Sequence, residues 1–240
     1  MHRGEVGISD IARDLELTVG TVYRLVSTLT EAGFAEQNSE NRKYRPGPKV
    51  LTLANEMRSN KDFLSVGHRS LERLMELTGE TVNLGVRRGD KIVYVDRVVS
   101  NEPLAVEVKV GSQVPAYCTA LGKAILANSD PSERDAYVVR LRNLAAADGL
   151  KPPTQKDFER ELDNVKLLGI AIDRGEFSPD IACVAAPVIG DRGKAVAAVS
   201  VSGPRSRVEA RVDDLIPLVE ITGKELSTLL QEIGELSVRI

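Results

Sequence analysis

Residues 18–33 read TVGTVYRLVSTLTEAG. Thr18 is a residue type favoured at helix N-caps, and Gly33 is the type favoured just after a helix, where the chain turns left-handed. The stretch between them therefore predicts a helix over residues 19–32. Its apolar positions have the spacing of one helical face: Val22, Leu25, Val26 and Leu29.

A shorter helix is predicted directly before this one, over residues 8–15 (ISDIARDL). Ile8, Ile11, Ala12 and Leu15 lie on one face, and residues 16 and 17 form a short break. Two short helices joined by a tight turn, the second rich in Thr, Tyr and Arg, are typical of a helix-turn-helix. The pattern by itself is equally consistent with an ordinary pair of packed helices.

A basic hairpin is predicted after Gly33. Residues 34–36 and 42–45 flank a polar run, and two short strands around a polar tip would make a winged helix-turn-helix. Arg42, Lys43 and Arg45 would then contact phosphates, the alternative being a solvated charged hairpin.

A helical linker follows the break at residues 46–48, and a hydrophilic stretch at residues 60–62 ends it. We predict a DNA-binding domain over residues 1–47, the linker over 48–62 and a second domain over 63–240. The linker carries the apolar residues Val50, Leu51, Leu53, Ala54 and Met57. This stripe is equally consistent with pairing to a second copy and with packing inside its own domain.

The composition restricts the possible function classes. The 240 residues carry a net charge of −3 and are 42% hydrophobic, which predicts a soluble chain with a substantial core. No apolar run approaches the roughly 20 residues of a membrane helix, and no secretory segment is seen at the start. The two cysteines are far apart in sequence, which predicts a reducing, cytoplasmic location without a disulfide framework.

The second half alternates hairpins and helices, which predicts an α+β domain. Strands are expected at residues 81–87, 91–99, 104–110, 170–173, 181–189 and 194–202. Helices are expected at residues 63–77, 116–127, 131–141, 154–168 and 208–236, the last one interrupted near Pro217. Residues 111–115 and 145–153 are expected to be loops.

We predict no catalytic residue, metal site or cofactor. The histidines are His2 and His68, so a Ser–His or Cys–His arrangement has little support. Cys118 and Thr119 lie at a predicted helix N-terminus, which favours an anion. Together with Asp173, Cys183 and the serines of the last strand they would line a pocket for a small organic acid, although buried Cys is usually small filler.

The chain resembles the IclR-type transcriptional regulators. The resemblance rests on TVYRLVSTLTEAGF and YRPGPKVLTLA in the first half, and on TGETVNLGVRRGDKIVYVDRV, VGSQVPAYCTALGKAILA, GIAIDRGEF, CVAAPV and VAAVSVSGPRSR in the second. These segments extend from Ile8 to about Leu230 in the family's order. Each is modest evidence, and together they are highly specific.

The resemblance implies a winged helix-turn-helix, a linker helix and a GAF-like effector domain, assembled as a dimer or tetramer. Such a protein binds a palindromic double-stranded DNA operator and answers to a small, often acidic metabolite, here predicted to control a catabolic operon as a repressor without enzymatic activity. The DNA-binding residues implied are Thr18, Val19, Gly20, Thr21, Tyr23, Arg24, Arg42, Lys43 and Tyr44. The effector-binding residues implied are Thr119, Ala120, Leu121, Gly122, Asp173, Cys183, Ser200 and Ser202.

The chain departs from the family pattern at two places. Family members carry a further helix before the stretch matched by Ile8, so we expect either a truncated start or a DNA-binding domain that lacks its first helix. They also have Pro-Lys-Ser where this chain has Thr18-Val19-Gly20, which removes a basic and a hydroxyl donor. The alternatives are a metabolite sensor that does not bind DNA and an enzyme that uses Cys118.

Overall fold

The computed structural model describes residues 5–59, 63–103, 108–190 and 192–233. The chain divides into two compact units, Met1–Asn60 and Lys61–Ile240. The finer division into residues 1–47, 48–62 and 63–240 stays a prediction.

The first unit opens with the two predicted helices. α1 covers Ile8–Asp14 and α2 covers Val19–Glu31. The hydroxyl of Thr18 accepts a hydrogen bond from the backbone N–H of Thr21 at 3.2 Å, so the predicted N-cap is present. Gly33 has a φ of +80°, which is the left-handed conformation predicted for the end of α2.

The core of this unit is smaller than the sequence pattern suggests. Val22 and Val26 are buried with Ala12, whereas Leu25 and Leu29 are 52% and 47% exposed. Of the predicted apolar face of α2, Val22 and Val26 therefore pack inward within this unit, whereas Leu25 and Leu29 do not. α1 and Tyr44 pack against the side of α2 that carries Val22 and Val26, and the adjacent side with Leu25 and Leu29 is exposed.

The predicted wing is present. β1 (Ala35–Gln37) and β2 (Tyr44–Pro46) form an antiparallel pair, and Val6 adds a bridge to Tyr44. The linker helix α3 then covers Pro48–Ser59. Gly47 permits the tight passage between wing and helix, because an added Cβ would lie 2.4 Å from the carbonyl oxygen of Gly33.

The second unit is a six-stranded antiparallel sheet with helices on both faces, as the predicted α+β class requires. Its strands are β3 (Thr81–Arg88), β4 (Lys91–Val98), β5 (Gln113–Pro115), β6 (Ala171–Asp173), β7 (Ile181–Ile189) and β8 (Ala195–Pro204). Its helices are α4 (Phe63–Thr78), α5 (Ala120–Ala127), α6 (Pro131–Ala147), α7 (Gln155–Leu168), α8 (Arg205–Glu209) and α9 (Val212–Ile233). The strand order is β5-β4-β3-β8-β7-β6.

The two faces of this sheet have separate cores. Side chains of α5, α6 and α7 form one cluster with residues such as Tyr94 and Ala198. Side chains of α4, α8 and α9 form the other with Leu84 and Val199. Since successive side chains of a strand point to opposite faces, β7 and β8 contribute to both clusters.

Several predicted boundaries differ from the structure. α5 begins at Ala120 rather than residue 116, and residues 113–115 form an edge strand rather than a loop. α6 continues to Ala147, because Leu141 and Ala145 still face the core. The terminal helix is broken before Val212, not at Pro217, which lies inside α9. The strand expected at residues 104–110 and the helix beyond residue 233 fall largely outside the described residues.

Candidate functional site

A cavity of about 60 Å³ lies between the start of α5 and the sheet. Of the residues predicted for this pocket, all except Cys118 and Gly122 line it. The lining residues are Tyr94, Val108, Val114, Thr119, Ala120, Leu121, Asp173, Phe177, Ser178, Ile181, Cys183, Ser200 and Ser202.

The sheet register brings the polar lining residues together. Asp173 of β6 pairs with Cys183 of β7, and Cys183 pairs with Ser202 of β8. Directly paired residues of antiparallel strands lie side by side on the same face. Three segments that are distant in sequence thus place their polar side chains in one row.

The start of α5 forms the opposite wall. Thr119 is the N-cap: its hydroxyl accepts from the Gly122 N–H at 3.3 Å and donates to the Pro115 carbonyl at 3.0 Å. That hydroxyl is therefore engaged in local structure. In the described part of the chain the backbone N–H groups of Ala120 and Leu121 have no acceptor, which makes them the donors available to an anion.

Gly122 does not line the cavity. An added Cβ at this position would lie 1.9 Å from the carbonyl oxygen of Ala116. Gly122 therefore allows the segment before α5 to pass against the helix, and its predicted effector role stays a prediction. Gly122 is absent from the lining because it lies on a different side of the first turn from residues 120 and 121.

Asp173 is the buried charge of the cavity, with only 3% of the residue exposed. Its Oδ1 atom accepts from the backbone N–H groups of Gly175 at 2.9 Å and Glu176 at 2.8 Å. Burial raises the pKa of Asp173, and this effect exceeds the opposing effect of the two N–H groups and of Lys123. A hydrogen-bond donor on a ligand would stabilise this carboxylate.

A buried lysine lies behind this wall. The Nζ atom of Lys123 donates to Glu161 at 2.6 Å and to Glu176 at 2.5 Å, and the lysine side chain is fully buried. These bonds join α5 to α7 and to the loop that carries Phe177 and Ser178. The charge of Lys123 is paired with the two carboxylates.

The two cysteines are neutral thiols. Burial raises the pKa of Cys118 and of Cys183 to about 12 in each case. His68 belongs to α4, on the other face of the sheet, where its Nδ1 lies 2.8 Å from Asp96. Neither thiol has the lowered pKa that nucleophilic catalysis requires. Across residues 5–59, 63–103, 108–190 and 192–233 no group of three or more His, Cys, Asp or Glu could hold a metal ion.

Sequence reasoning missed several lining residues: Tyr94, Val108, Val114, Phe177, Ser178 and Ile181. Most of them are apolar, as core residues are, so no local signal separates them. Lys123 was also missed. A lysine inside the apolar run ALGKAILA is a signal, because a buried lysine needs a charged partner.

The start of α2 and the wing carry exposed side chains in the first unit. Val19, Tyr23 and Arg24 are exposed on α2, and Arg42 and Lys43 are exposed on the wing. Thr18 and Gly20 are also exposed, whereas Thr21 is half-buried. Among described residues no ion pair engages Arg24, Arg42 or Lys43, so their charges are available to phosphates.

Two wing residues have internal roles. The ring of Tyr44 packs against the core of α1 and α2, so it is only partly accessible. Arg45 is paired with Glu36 at 3.2 Å. Glu5 accepts from the side chains of Asn41 at 2.6 Å and Asn38 at 2.8 Å, and these hydrogen bonds lower the pKa of Glu5. The N-terminal segment thereby supports the wing.

A winged helix-turn-helix together with an α+β unit that encloses a small cavity with a row of polar side chains defines the class of ligand-responsive, DNA-binding transcriptional regulators. Two family models match the chain: the IclR helix-turn-helix domain over residues 1–39 and the bacterial transcriptional regulator IclR C-terminal domain over residues 56–228. The chain belongs to the IclR family.

Known proteins agree with this assignment. The HTH-type transcriptional repressor AllR of Klebsiella pneumoniae is 31% identical over 231 residues, covering 95% of this chain and 84% of AllR. The crystal structure of an IclR transcriptional regulator from Silicibacter sp. TM1040 is 31% identical, with a TM-score of 0.79 over 94% of this chain and 89% of that one.

A third structure shares the fold at lower identity. It is an IclR homologue from Microbacterium hydrocarbonoxydans in complex with 4-hydroxybenzoate, 20% identical, with a TM-score of 0.78. The match covers 96% of this chain and 93% of that chain. No described helix of the present protein is long and apolar enough to cross a membrane.

Proposed function

We propose that this protein is a cytoplasmic repressor of a catabolic operon, that it binds a palindromic operator as a homodimer or tetramer, and that a small organic acid controls it. The observation that carries this proposal is the cavity of about 60 Å³, which is lined both by the start of α5, whose first N–H groups have no acceptor among the described residues, and by the Asp173–Cys183–Ser202 row. The relative AllR is a repressor, which supports repression over activation.

The proposed DNA contacts come from the start of α2 and from the wing. The side chains at Thr18, Val19, Thr21, Tyr23 and Arg24 would face base edges and phosphates of the major groove, with Gly20 allowing close approach. Arg42 and Lys43 would contact adjacent phosphates, and Tyr44 would contribute its accessible edge. Because these cations have no carboxylate partner among the described residues, phosphate binding does not require breaking an ion pair.

The proposed effector is a short oxo or hydroxy acid. A cavity of about 60 Å³ has room for on the order of four to six water molecules, which suits a chain of two to four carbons. The carboxylate of the ligand would accept from the N–H groups of Ala120 and Leu121 at the positive end of the α5 dipole. Its hydroxyl would donate to the buried carboxylate of Asp173.

Control would be allosteric. Two recognition helices must match half-sites roughly 34 Å apart. An effector that binds one state of the dimer more tightly shifts the population to that state, and a changed helix spacing weakens operator binding. Catalysis is no part of the proposed function, since the burial that raises the pKa of Cys118 to about 12 keeps it a thiol.

Operator binding is tested by fluorescence anisotropy with the DNA upstream of the protein's own gene. We expect specific, salt-sensitive binding. The double variant Arg42→Ala/Lys43→Ala should reduce the slope of log K against log salt by about 1 for each phosphate that is no longer neutralised. Arg160→Ala, which removes an exposed charge from the second unit, is the matched control and should keep the wild-type slope. If specific binding is absent, the proposed function is wrong and the alternative, a metabolite sensor that does not bind DNA, is favoured.

Effector binding is tested by a thermal-shift series with pyruvate, lactate and benzoate. We expect the two short acids to raise the melting temperature and benzoate to have no effect. Asp173→Asn should abolish the shift by lactate, whose hydroxyl would donate to that carboxylate, whereas Asp213→Asn at the start of α9 should retain it. A shift by benzoate alone would contradict the proposed size class.

A further inference from the structure

Glu5 is an acidic residue that contacts the turn of the wing at two places. Its Oε1 atom accepts from the Nδ2 atom of Asn38 at 2.8 Å, and its Oε2 atom accepts from the Nδ2 atom of Asn41 at 2.6 Å. The next residue, Val6, exchanges two backbone hydrogen bonds with Tyr44 and so fixes this segment beside β2. One carboxylate therefore joins the first strand residue outside the hairpin to the turn between β1 and β2.

The backbone determines the orientation of both asparagine amides. The Oδ1 atom of Asn38 accepts from the N–H of Glu40, and the Oδ1 atom of Asn41 accepts from the N–H of Lys43, each at 2.9 Å. Because a backbone donor engages each amide oxygen, each amide must turn its NH2 group toward Glu5. Two donors that converge in this way need a side chain with two acceptor oxygens, which is a carboxylate.

Arg42 has a left-handed backbone within this turn, with a φ of +57°. Residues other than glycine, asparagine and aspartate rarely adopt this conformation. The N–H of Arg42 donates to the carbonyl of Asn38 at 2.9 Å, and its carbonyl oxygen accepts from the Nε2 atom of Gln37 at 3.0 Å. A strained residue persists only where its surroundings determine it. Through Asn38, Glu5 is part of the network that holds Arg42 in place.

Glu5 also affects the charge of the wing. The hydrogen bonds from Asn41 and Asn38 lower the pKa of Glu5, which is therefore ionised at neutral pH, and the nearby charge of Lys43 contributes to that shift. A carboxylate close to a phosphate-binding cation weakens the attraction to DNA of any sequence, because this electrostatic attraction does not depend on the bases. Glu5 thus opposes non-specific binding while it orders the turn.

We propose that Glu5 is a positioning residue that raises the specificity of the wing for the operator. This inference rests on the proposed contacts of Arg42 and Lys43 with phosphates. In the specific complex α2 fixes the register on the DNA, so cations that are already in place bind their phosphates without further ordering. In non-specific complexes the register is free, so positioned cations have no advantage there and the repulsion by Glu5 remains.

Glu5→Gln removes the charge and one of the two acceptors at constant side-chain length. Fluorescence anisotropy on the full chain measures its affinity for the DNA upstream of the protein's own gene and for a shuffled duplex of the same composition. We expect the affinity for the shuffled duplex to rise about twofold, and the ratio of the two affinities to fall about tenfold.

Glu40→Gln is the matched control for charge. Glu40 lies in the same turn, and its carboxylate has no hydrogen bond or ion pair among the described residues. Removing this charge should raise the affinity for both duplexes alike, so the ratio of affinities should stay at the wild-type value.

Asn41→Ser separates geometry from charge. Its hydroxyl can still accept from the N–H of Lys43, but it is too short to reach Glu5. We expect the ratio of affinities to fall without any gain in affinity for the shuffled duplex. If Glu5→Gln does not fold, this variant decides, and an unchanged ratio would overturn the inference.

A variant cycle separates positioning from stability. In the Arg42→Ala/Lys43→Ala background, Glu5→Gln should have no further effect on the ratio, because the cations that Glu5 positions are absent. If Glu5 served only to stabilise the first unit, its replacement would lower the ratio equally in both backgrounds. Equal losses would therefore overturn the inference.

The two proposals fail in different ways. If the wild-type chain binds the upstream DNA no better than the shuffled duplex, the proposed function is wrong and the inference falls with it. If the wild-type chain is specific and Glu5→Gln changes the ratio no more than Glu40→Gln does, the proposed function stands and the inference alone is contradicted.

Discussion

Lys123 and Glu161 form a buried link between two helices: the Nζ atom of Lys123 in α5 donates to the Oε1 atom of Glu161 in α7 at 2.6 Å. The same ammonium also binds Glu176, which lies two residues before the cavity residue Ser178. The lysine is fully buried, so its charge depends on these partners. The link holds the first turn of α5, whose N–H groups face the cavity.

Lys123→Met should therefore destabilise the second unit. Removing one partner of a buried ion pair leaves the others uncompensated, and because Glu161 and Glu176 are 37% and 42% exposed we expect a loss of about 2 kcal/mol. Urea unfolding followed by circular dichroism measures it. Lys224→Met, which breaks the exposed pair with Glu220, is the control and should cost about 0.5 kcal/mol or less.

Stability should also fall in alkaline solution. Burial lowers the pKa of Lys123, but Glu176 and Glu161 together outweigh that effect and the pKa lies above the ordinary value of 10.5. Because the folded-state pKa of Lys123 is raised, the contribution of its charge to folding stability is complete below pH 10.5 and is lost as pH rises through the folded-state pKa. The difference in unfolding free energy between wild type and Lys123→Met should shrink in that range. A constant difference would contradict the ion-pair origin.

Asp173→Asn should stabilise the unliganded protein and remove effector binding. Burial raises the pKa of Asp173 above the ordinary value of 3.8, so its ionised form is disfavoured in the folded state. Wild-type stability should accordingly decline as pH rises from about 4 through the folded-state pKa, and the asparagine variant should lack this component. Melting temperatures between about pH 4 and about pH 8 provide the check. A variant less stable than wild type at neutral pH would refute the argument.

Gly122→Ala should be destabilising by about 2 kcal/mol or more, because the new Cβ would lie 1.9 Å from the carbonyl oxygen of Ala116. Backbone must move to relieve this contact, which displaces the first turn of α5. We expect weaker pyruvate binding together with a lower unfolding midpoint. An unchanged pyruvate affinity and an unchanged unfolding midpoint would show that the contact between residue 122 and Ala116 is not tight.

Gly20→Ala provides the contrast in α2. No atom lies within 4 Å of an added Cβ, and glycine is less favourable than alanine in a helix by about 1 kcal/mol. We expect a gain of about 0.5–1 kcal/mol in the unfolding of the first unit, seen as increased helical thermal stability. A loss of stability would mean that the backbone at Gly20 needs glycine.

Local patterns predicted most of the elements. Thr18 and Gly33 defined the bounds of α2, and Thr154 and Gly169 those of α7, because caps and left-handed turns depend on residues only a few positions apart. The β7–β8 hairpin was predicted from a turn between two apolar runs. Errors arose where tertiary packing extends or ends an element, as at Ala147 in α6.

The candidate site was predictable in part. Most of its polar residues were named from the sequence pattern and again from the resemblance to the IclR family, and the cavity now brings together Asp173, Cys183, Ser200 and Ser202. Their role in binding stays a prediction. The apolar lining was not predictable, since a residue such as Ile181 or Val114 has the same local pattern whether it faces a cavity or a core.

The sequence alone determined the order and type of the elements, because helical and strand periodicity, caps and turns are properties of neighbouring residues. Tertiary structure decided which of them meet. The register of β3, β8, β7 and β6 places Asn83 beside Ser200 and Asp173 beside Cys183. The packing of α5 and α7 gives Lys123 its partner Glu161. Within the first unit, Leu25 of α2 is exposed. Strand pairing and burial depend on segments that are far apart in the chain, as β3 and β8 are, and no local pattern encodes that choice.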